Sequence, residues 1–487
     1  MSVPFDLHAV LPEIFLAGTL LVVLFVDLFL PVERKWWAMP ISFAGAVAAF
    51  IASLTLIGSH RALFGGSYVV DNYAVLFKVL FEITAMVVLL LCFRFLRDGH
   101  YFQGEFYFLL LCSFLGCMTM ASSRDLLMLF ISLELVSAPG FVLAGMRKGD
   151  PRSNEAALKF FLISVLSTAI MLYGMSLIYG LTGTTRLSGI AVKLTGPVGS
   201  TNLALAAILF VVAGFAFKVS AFPFQFWAPD TYEGSPVPVA AFLSVASKTA
   251  GFVGLLQLMF HAFLPAAHFW APIFAILPLF TMFMGNLVAL QQRQVVRMMA
   301  YSSIAQAGYM LLPFALAGYS LSVDKAAFSS VVLYLMIYAV TNLGAFAVIV
   351  GMSRDAPTLL IRDFAGLGQR APAIAIALAT CLVSLAGIPP TAGFWGKFFI
   401  FTAAIDRGGV GGWLAAAMVI NSVISLVYYL GIVRSMWLEP IAEPVRPIRI
   451  PAGAALVAGI ATIGVLAIGI YPQLFAHFPP LTAVLGR

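Results

Sequence analysis

ALAAILFVVAGFAFKVSAFPFQFWAPDTYEGSPVPVAAFLSVASKTAGFVGLLQLMF, residues 204–260, decides the reading of this chain. It holds two long apolar runs, each with a lysine well inside it: Lys218 in the first and Lys248 in the second. Pro223 follows Lys218 by five residues. A lysine at the centre of a membrane span costs roughly 2.5–3.5 kcal/mol. A proline inside a span removes a backbone hydrogen bond and clashes with the carbonyl four residues back. Two such costs so close together point to an ion path through the membrane and not to a lipid anchor.

The rest of the chain has the same character. Of its 487 residues, 62% are hydrophobic and 10% charged, where a soluble protein would carry about 25% charge. Mean hydropathy is +1.03. These values predict an all-α polytopic membrane protein. The short alternating strands of a membrane β-barrel are absent. Cys92, Cys112, Cys117 and Cys381 all lie in apolar runs without a CxxC pair, and read as small core residues. The first apolar run has Asp27 and Pro31 where a cleavage site would need small residues, so it is expected to stay as a helix.

Runs of about 20 apolar residues suffice to span a bilayer. They fall roughly at 10–30, 36–58, 71–95, 105–121, 124–146, 154–181, 202–228, 236–262, 268–290, 295–319, 325–351, 371–405, 409–437 and 450–472, which predicts about 14 helices. The connections are short, so the expectation is a single polytopic domain over 1–487 with no soluble module. Odd-numbered loops carry 15 lysines and arginines, among them Arg34, Arg147, Arg293 and Arg446; even loops and the tail carry 7, among them Arg61, Arg124 and Arg487. The positive-inside rule then puts odd loops in the cytoplasm and both termini on the opposite side. The net charge of +7 follows from this bias and does not suggest nucleic acid.

Five lysines and no arginine remain inside spans: Lys78, Lys159, Lys218, Lys248 and Lys397. Arginine stays protonated, whereas a buried lysine can give up its proton. Five unpaired charges would cost roughly 12–18 kcal/mol, which packing gives no reason to carry. The central acids are Glu134, in LLMLFISLELVSAPGF, and Glu82, placed at i+4 from Lys78 where the two can pair on one helix face. Two acids cannot neutralise five lysines, so the lysines must share partners or take turns, as a proton relay requires. At about 4 Å and an effective dielectric near 20, Glu134 and Lys218 would attract by about 4 kcal/mol. A static ion pair is the bland alternative there, and snorkelling to the cytoplasmic face is the one for Lys159.

A second break lies in LVSLAGIPPTAGFWGKFFIF, residues 382–401, where Gly387, Pro389, Pro390 and Gly393 interrupt the helix ahead of Lys397. Unwound backbone at membrane depth survives only inside protein or beside a wet cavity. Breaks in the seventh and twelfth spans predict two inverted five-helix repeats, spans 4–8 (105–262) and 9–13 (268–437), behind three N-terminal helices (1–104) and ahead of a C-terminal helix and tail (450–487). The tenth span carries Tyr301, Ser302, Ser303, Gln306 and Tyr309, read either as helix packing or as a wetted link between the halves. All six histidines lie at span ends or in loops, which argues against haem ligation. No Walker A, dinucleotide fingerprint or metal-ligand cluster is present, so no redox centre or other cofactor is expected in this chain.

GFAFKVSAFPFQFWAPDTYEGSPVPVAAFLSVASK and SLAGIPPTAGFWGKF closely resemble the antiporter-like subunits of proton-pumping NADH:quinone oxidoreductase, respiratory complex I. The resemblance covers nearly the whole chain. It implies roles for the glutamate of the fifth helix, Glu134, and for the lysine of the broken seventh helix, Lys218. It implies connecting roles for Lys159 and Lys248, and an output role for Lys397 on the broken twelfth helix; it gives none to Lys78. Many relatives have histidine where this chain has Gln225 and Gln306. Glutamine cannot titrate, so ordered water would have to carry protons there.

The resemblance implies a translocase subunit; a bacterial inner membrane is the simplest host, an organelle the alternative, and the loop charges put both termini on the periplasmic side of the former. Quinone reduction elsewhere in the complex would shift the Glu134–Lys218 pairing, and protons would pass by Lys248 to Lys397. Flavin, iron–sulfur clusters, NADH and quinone, ubiquinone or menaquinone, would belong to the complex. The partners would be other membrane-arm subunits, including antiporter-like paralogues and small helical subunits, and the lipid bilayer. Two alternatives stand beside it: a subunit of a stand-alone multisubunit cation/proton antiporter, and a scaffold that has lost pumping.

Overall fold

The computed structural model describes residues 6–99, 103–440, 448 and 450–473. Arg446, Arg449, Arg487, His100 and His477, and the tail beyond residue 473, lie outside the described residues. In chain order the helices are α1 (Leu11–Phe29) and α2 (Ala38–Leu54), a hairpin of β1 (Arg61–Leu63) and β2 (Tyr68–Val70), then α3 (Asn72–Asp98), α4 (Gln103–Ser122), α5 (Leu126–Ala144) and α6 (Pro151–Thr182). After α7 (Leu187–Leu194) come α8 (Asn202–Val219), α9 (Trp227–Gly234), α10 (Val237–Phe242), α11 (Lys248–Gln257), α12 (Ala267–Trp270), α13 (Ile273–Ala289) and α14 (Val295–Leu311). The chain continues through α15 (Leu321–Met352), α16 (Leu367–Arg370), α17 (Pro372–Ala386), α18 (Ala392–Arg407), α19 (Val410–Leu438) and α20 (Ala452–Ile470).

Among the described residues, eleven helices are long and apolar enough to cross a membrane, or twelve if Leu264–Trp270 and Ile273–Ala289 form one span. Of the fourteen expected stretches, 295–319 and 371–405 fall short of that test. The first yields the 17-residue α14, which carries Arg297 in its first turn. The second is cut into α17 and α18 at Gly387–Pro390.

The described residues form two compact units. One takes the chain up to Lys218 together with Ala246–Trp270; the other takes Val219–Val245 and the chain from Ala271. In the first unit α4 packs on α5 and α1 on α2. The close approach of α4 to α5 runs over Gly116, where a Cβ would strike the backbone at Leu135 and Val136. In the second unit Gly285 serves the same purpose for α13 against α14, facing the Ala305 backbone. Small residues let apolar helices touch backbone to backbone where no hydrophobic effect drives them together.

Loop contacts fix the up-and-down order inside each unit. Arg124 donates to Asp71 at 2.8 Å, and Thr185 donates to Asp125 at 2.6 Å, so the second, fourth and sixth connections gather at one end of the first unit. In the second unit Gln294 bridges Leu360, and Ser435 donates to the Ile361 carbonyl, gathering the connections after α13, α15 and α19.

Both breaks are built from the residues that cannot continue a helix. α8 stops at Val219; Ser220 takes a positive φ of 60°, and Phe222–Pro223 is a cis bond. α17 stops at Gly387, left-handed at φ 90°, whose N–H returns to the Val383 and Ser384 carbonyls; Pro389–Pro390 is also cis. A left-handed C-cap favours glycine because it has no Cβ. A third irregularity is a π turn at Leu243–Ser247, immediately before Lys248.

Candidate functional site: buried lysines beside helix breaks

In the first unit, Lys218 is the penultimate residue of α8 and is 1% exposed. Its Nζ donates to Ser137 Oγ at 2.8 Å. Ser137 lies on α5 three residues after Glu134, so both groups lie on one face of that helix. The Glu134 carboxylate accepts from Thr168 Oγ1 at 2.9 Å, while the Lys218 ammonium takes Ser137, so the two charges do not form an ion pair. Lys248, also 1% exposed, opens α11 just after the π turn. Its neighbours Ser247 and Thr249 have buried hydroxyls without a protein partner. π turns recur at functional positions because they twist one residue out of the regular helix face.

Lys159 is different. It pairs with Glu155 one turn earlier at 2.6 Å, and its side chain is 42% exposed. The helix around it presents Leu158, Phe161, Leu162 and Leu166 outward.

Lys78 corrects the expectation of a local pair. Its Nζ lies 2.8 Å from Glu13 Oε1 on α1 and donates to the Tyr68 hydroxyl at 2.8 Å. Glu82 instead accepts from Ser53 on α2 at 2.7 Å. An ammonium on a flexible stem takes whichever carboxylate the packing presents, and a neighbouring helix here wins over the i+4 position.

In the second unit, Lys397 is 7% exposed on α18. Its Nζ donates to the Ala386 carbonyl at 2.8 Å, one of the carbonyls freed where α17 breaks, and sits 4.5 Å from the centre of the Tyr309 ring. It lines a largely apolar cavity of about 360 Å³ with Gly387, Phe394, Met418 and Ser422.

A polar network surrounds the middle of this unit. Asn286 donates to Tyr309 at 3.2 Å and to Asn421 at 3.0 Å, and accepts from Tyr428 at 3.0 Å. Gln306 donates to the Leu385 carbonyl at 2.9 Å and to Tyr429 at 3.2 Å, and accepts from Tyr334. Ser302 and Tyr429 share a hydrogen bond. Tyr338 donates to Ser303 at 3.0 Å, and Asn342 links Tyr338 to Ser244 on the π turn at 2.8 Å. Gln225 is 1% exposed with neither polar atom partnered, and the Ser220 hydroxyl is likewise unpartnered. Pro223 lies in the same α8–α9 connection, where Phe222 N–H is taken up by Thr281 Oγ1 at 3.1 Å. Arg297 holds α9 to α14 through Asp230 at 2.7 Å and Glu233 at 2.9 Å.

The sequence passed over Ser137, Thr168, Asn286, Tyr334, Tyr338, Asn421, Tyr428 and Tyr429. Some signal was there: Tyr334 with Tyr338 at i+4, and the paired tyrosines in LVYYL, are polar groups mid-span. Ser137 carries none, since hydroxyls are common in such helices. Among the described residues, no group of three or more His, Cys, Asp or Glu side chains could hold a metal ion.

Apolar helices, two of them broken, with lysines buried next to the breaks define an antiporter-like membrane subunit. The family model described as NADH:quinone oxidoreductase/Mrp antiporter, TM, matches residues 123–425. NADH-quinone oxidoreductase subunit N of Trichlorobacter lovleyi is 38% identical, over 97% of this chain and 96% of that protein. The subunit N of a Geobacillus species is 41% identical, over 96% of both. A chain of respiratory complex I from Thermus thermophilus, solved with bound aureothin, superposes with a TM-score of 0.80 at 31% identity, covering 95% of this chain and 98% of that one. A chain of the Mrp complex from Dietzia shares the fold, with a TM-score of 0.84 at 20% identity over 99% and 97%. This chain belongs to the NADH-quinone oxidoreductase subunit N family.

Proposed function

We propose that this chain is the proton-translocating, antiporter-like subunit of an NADH:quinone oxidoreductase, coupling electron transfer elsewhere in the complex to proton movement through buried glutamate, lysines and water. The observation that carries this reading is Lys218 on α8, 1% exposed and bonded to Ser137, which lies one turn along α5 from Glu134. Its ammonium can exchange a neutral hydroxyl for a carboxylate by a rotamer change, and that exchange alters its hold on the proton.

The proposed sequence of events has three parts. Glu134 moves toward or away from Lys218 as quinone reduction changes the field along the membrane arm. The proton leaving Lys218 is taken up by Lys248, with the unpartnered Ser247 and Thr249 hydroxyls supporting water there. Lys397 releases protons to the non-cytoplasmic side, with Tyr309 and Ser422 beside it and Asn286 donating to the Tyr309 hydroxyl. Lys159, paired with Glu155 on an exposed helix face, loads from the cytoplasmic side. Gln225 and Gln306 orient water and do not carry protons themselves.

The same reading includes fourteen crossings, with α14 and the α17–α18 pair each completing one, and inverted repeats at 105–262 and 268–437. It places the chain in a bacterial inner membrane with odd loops cytoplasmic and termini periplasmic. Paralogous antiporter-like subunits and small helical subunits are its neighbours, and flavin, iron–sulfur clusters, NADH and quinone act in other subunits. The test is proton pumping by vesicles containing the assembled complex. Lys218→Ala should lose most pumping; a fully active Lys218→Ala complex rejects the relay.

A further inference from the structure

The cluster around Lys78 has no part in the relay proposed above. It is assembled from three N-terminal helices and the hairpin: Glu13 on α1, Ser53 on α2, Tyr68 on β2, and Lys78 and Glu82 on α3. Lys78 is 0% exposed, Glu82 2% and Glu13 8%. The ammonium takes Glu13 and the Tyr68 hydroxyl, while Ser53 donates to Glu82 Oε1 and Glu82 Oε2 has no partner. The other charges of these elements are engaged or exposed elsewhere: Asp71 pairs with Arg124, Asp6 with Arg61, Asp27 with Lys35 and Arg94 with Asp98, while Arg97 is exposed in the last turn of α3. On α4, Glu105 is exposed.

Two buried carboxyl groups therefore face one ammonium. If both were ionised, the cluster would hold an uncompensated negative charge in a low dielectric, the most costly arrangement available to it. A neutral cluster needs one added proton. Glu13 already has the ammonium, so the proton belongs to Glu82. Glu82 also lies at i+4 from Lys78, on the same helix face, within reach of the long lysine stem. A static ion pair would need only one acid.

We propose that Glu13, Lys78 and Glu82 form a one-proton exchange site, separate from the Glu134–Lys218 set. In the state seen here Lys78 pairs with Glu13 and Glu82 is a neutral acid. When the ammonium swings to Glu82, the Glu82 O–H bond breaks and an O–H bond forms on Glu13. Lys78 keeps its three protons and the cluster stays neutral throughout. Tyr68, whose backbone is bridged to Ser123, ties the site to the hydroxyls Ser123, Ser132 and Thr119. Ser132 lies two residues before Glu134 on α5, so the site abuts the relay helix without belonging to the relay.

The test is infrared spectroscopy of the purified complex, with NADH:quinone reductase activity as the check on assembly. Wild type should show a protonated carboxyl band at neutral pH that moves to lower frequency in D2O. Glu82→Gln should remove it. Glu13→Gln should also remove it, because Lys78 then pairs with Glu82 and ionises it. Survival of the band in Glu13→Gln, or in Glu82→Gln, overturns the proposal, as does a band that D2O leaves unmoved. Should Glu13→Gln fail to assemble, Lys78→Met decides: both acids then become neutral and a second carboxyl band should appear, and an unchanged single band rejects the site. The outcome does not depend on whether the Lys218 relay pumps.

Discussion

Lys218 rests on a hydroxyl, and that choice of partner has a measurable consequence. A hydrogen bond to a charged group contributes about 1.5–3 kcal/mol. Ser137→Ala removes the hydroxyl that Lys218 uses in the state seen here. It should bias Lys218 toward Glu134 and lower proton-coupled turnover by roughly tenfold, measured in vesicles, while the complex still assembles. Lys78 belongs to the opposite category. Lys78→Ala leaves Glu13 buried without its cation, so that the acid must take up a proton to stay inside, and thermal unfolding of the purified complex should register the change more strongly than turnover does. At this scale the sequence showed the lysines, because a charge inside an apolar run stands out by counting alone. It did not show their partners. Glu13 lies 65 positions from Lys78, and helix periodicity reports only neighbours three or four residues away on the same element, such as Glu82.

Helix breaks set where the functional groups point. Gly387 ends α17 in a left-handed turn, and a Cβ there would press on the aliphatic stem of Lys397. Gly387→Ala should cost about 1–2 kcal/mol from backbone conformation alone and displace the lysine from the Ala386 carbonyl. Pumping should fall with little change in the amount of complex assembled, and a variant that pumps normally would show that this turn does not position Lys397. On the far side of the other break, Arg297 fastens α9 to α14 through two carboxylates. Arg297→Ala should raise amide hydrogen exchange across 227–234 while α13 and α15 stay protected. The breaks were legible because proline and glycine clusters inside apolar runs have few other readings. The π turn before Lys248 was not, since LSVAS has no residue that forces it; packing chooses a π turn there, and packing is not written locally.

For the whole molecule, the two readings that share this fold part on what the chain assembles with. Similarity to the Dietzia Mrp chain, at 20% identity, speaks to the fold alone. Relatives at 38–41% identity along nearly the full length are subunits of NADH-quinone oxidoreductases. Membership of the all-helical class followed from composition together with long unbroken apolar runs, where a barrel would alternate. The number of crossings did not follow as directly, because α14 and the α17–α18 pair trade apolar length for Arg297 and a proline-rich break. A broken or short span reads as membrane-inserted only when its neighbours shield it. The deciding experiment is a mild-detergent pull-down of tagged chain. Copurifying NADH:quinone reductase activity, with flavin and iron–sulfur absorbance, is the expected outcome, and Lys218→Ala should then lower pumping in reconstituted vesicles far more than it lowers assembly. If the chain instead elutes only with small membrane proteins and no NADH oxidation, the cation/proton antiporter reading takes over. The same buried lysines would then exchange protons against a cation gradient, and their loss would appear as sodium-sensitive growth.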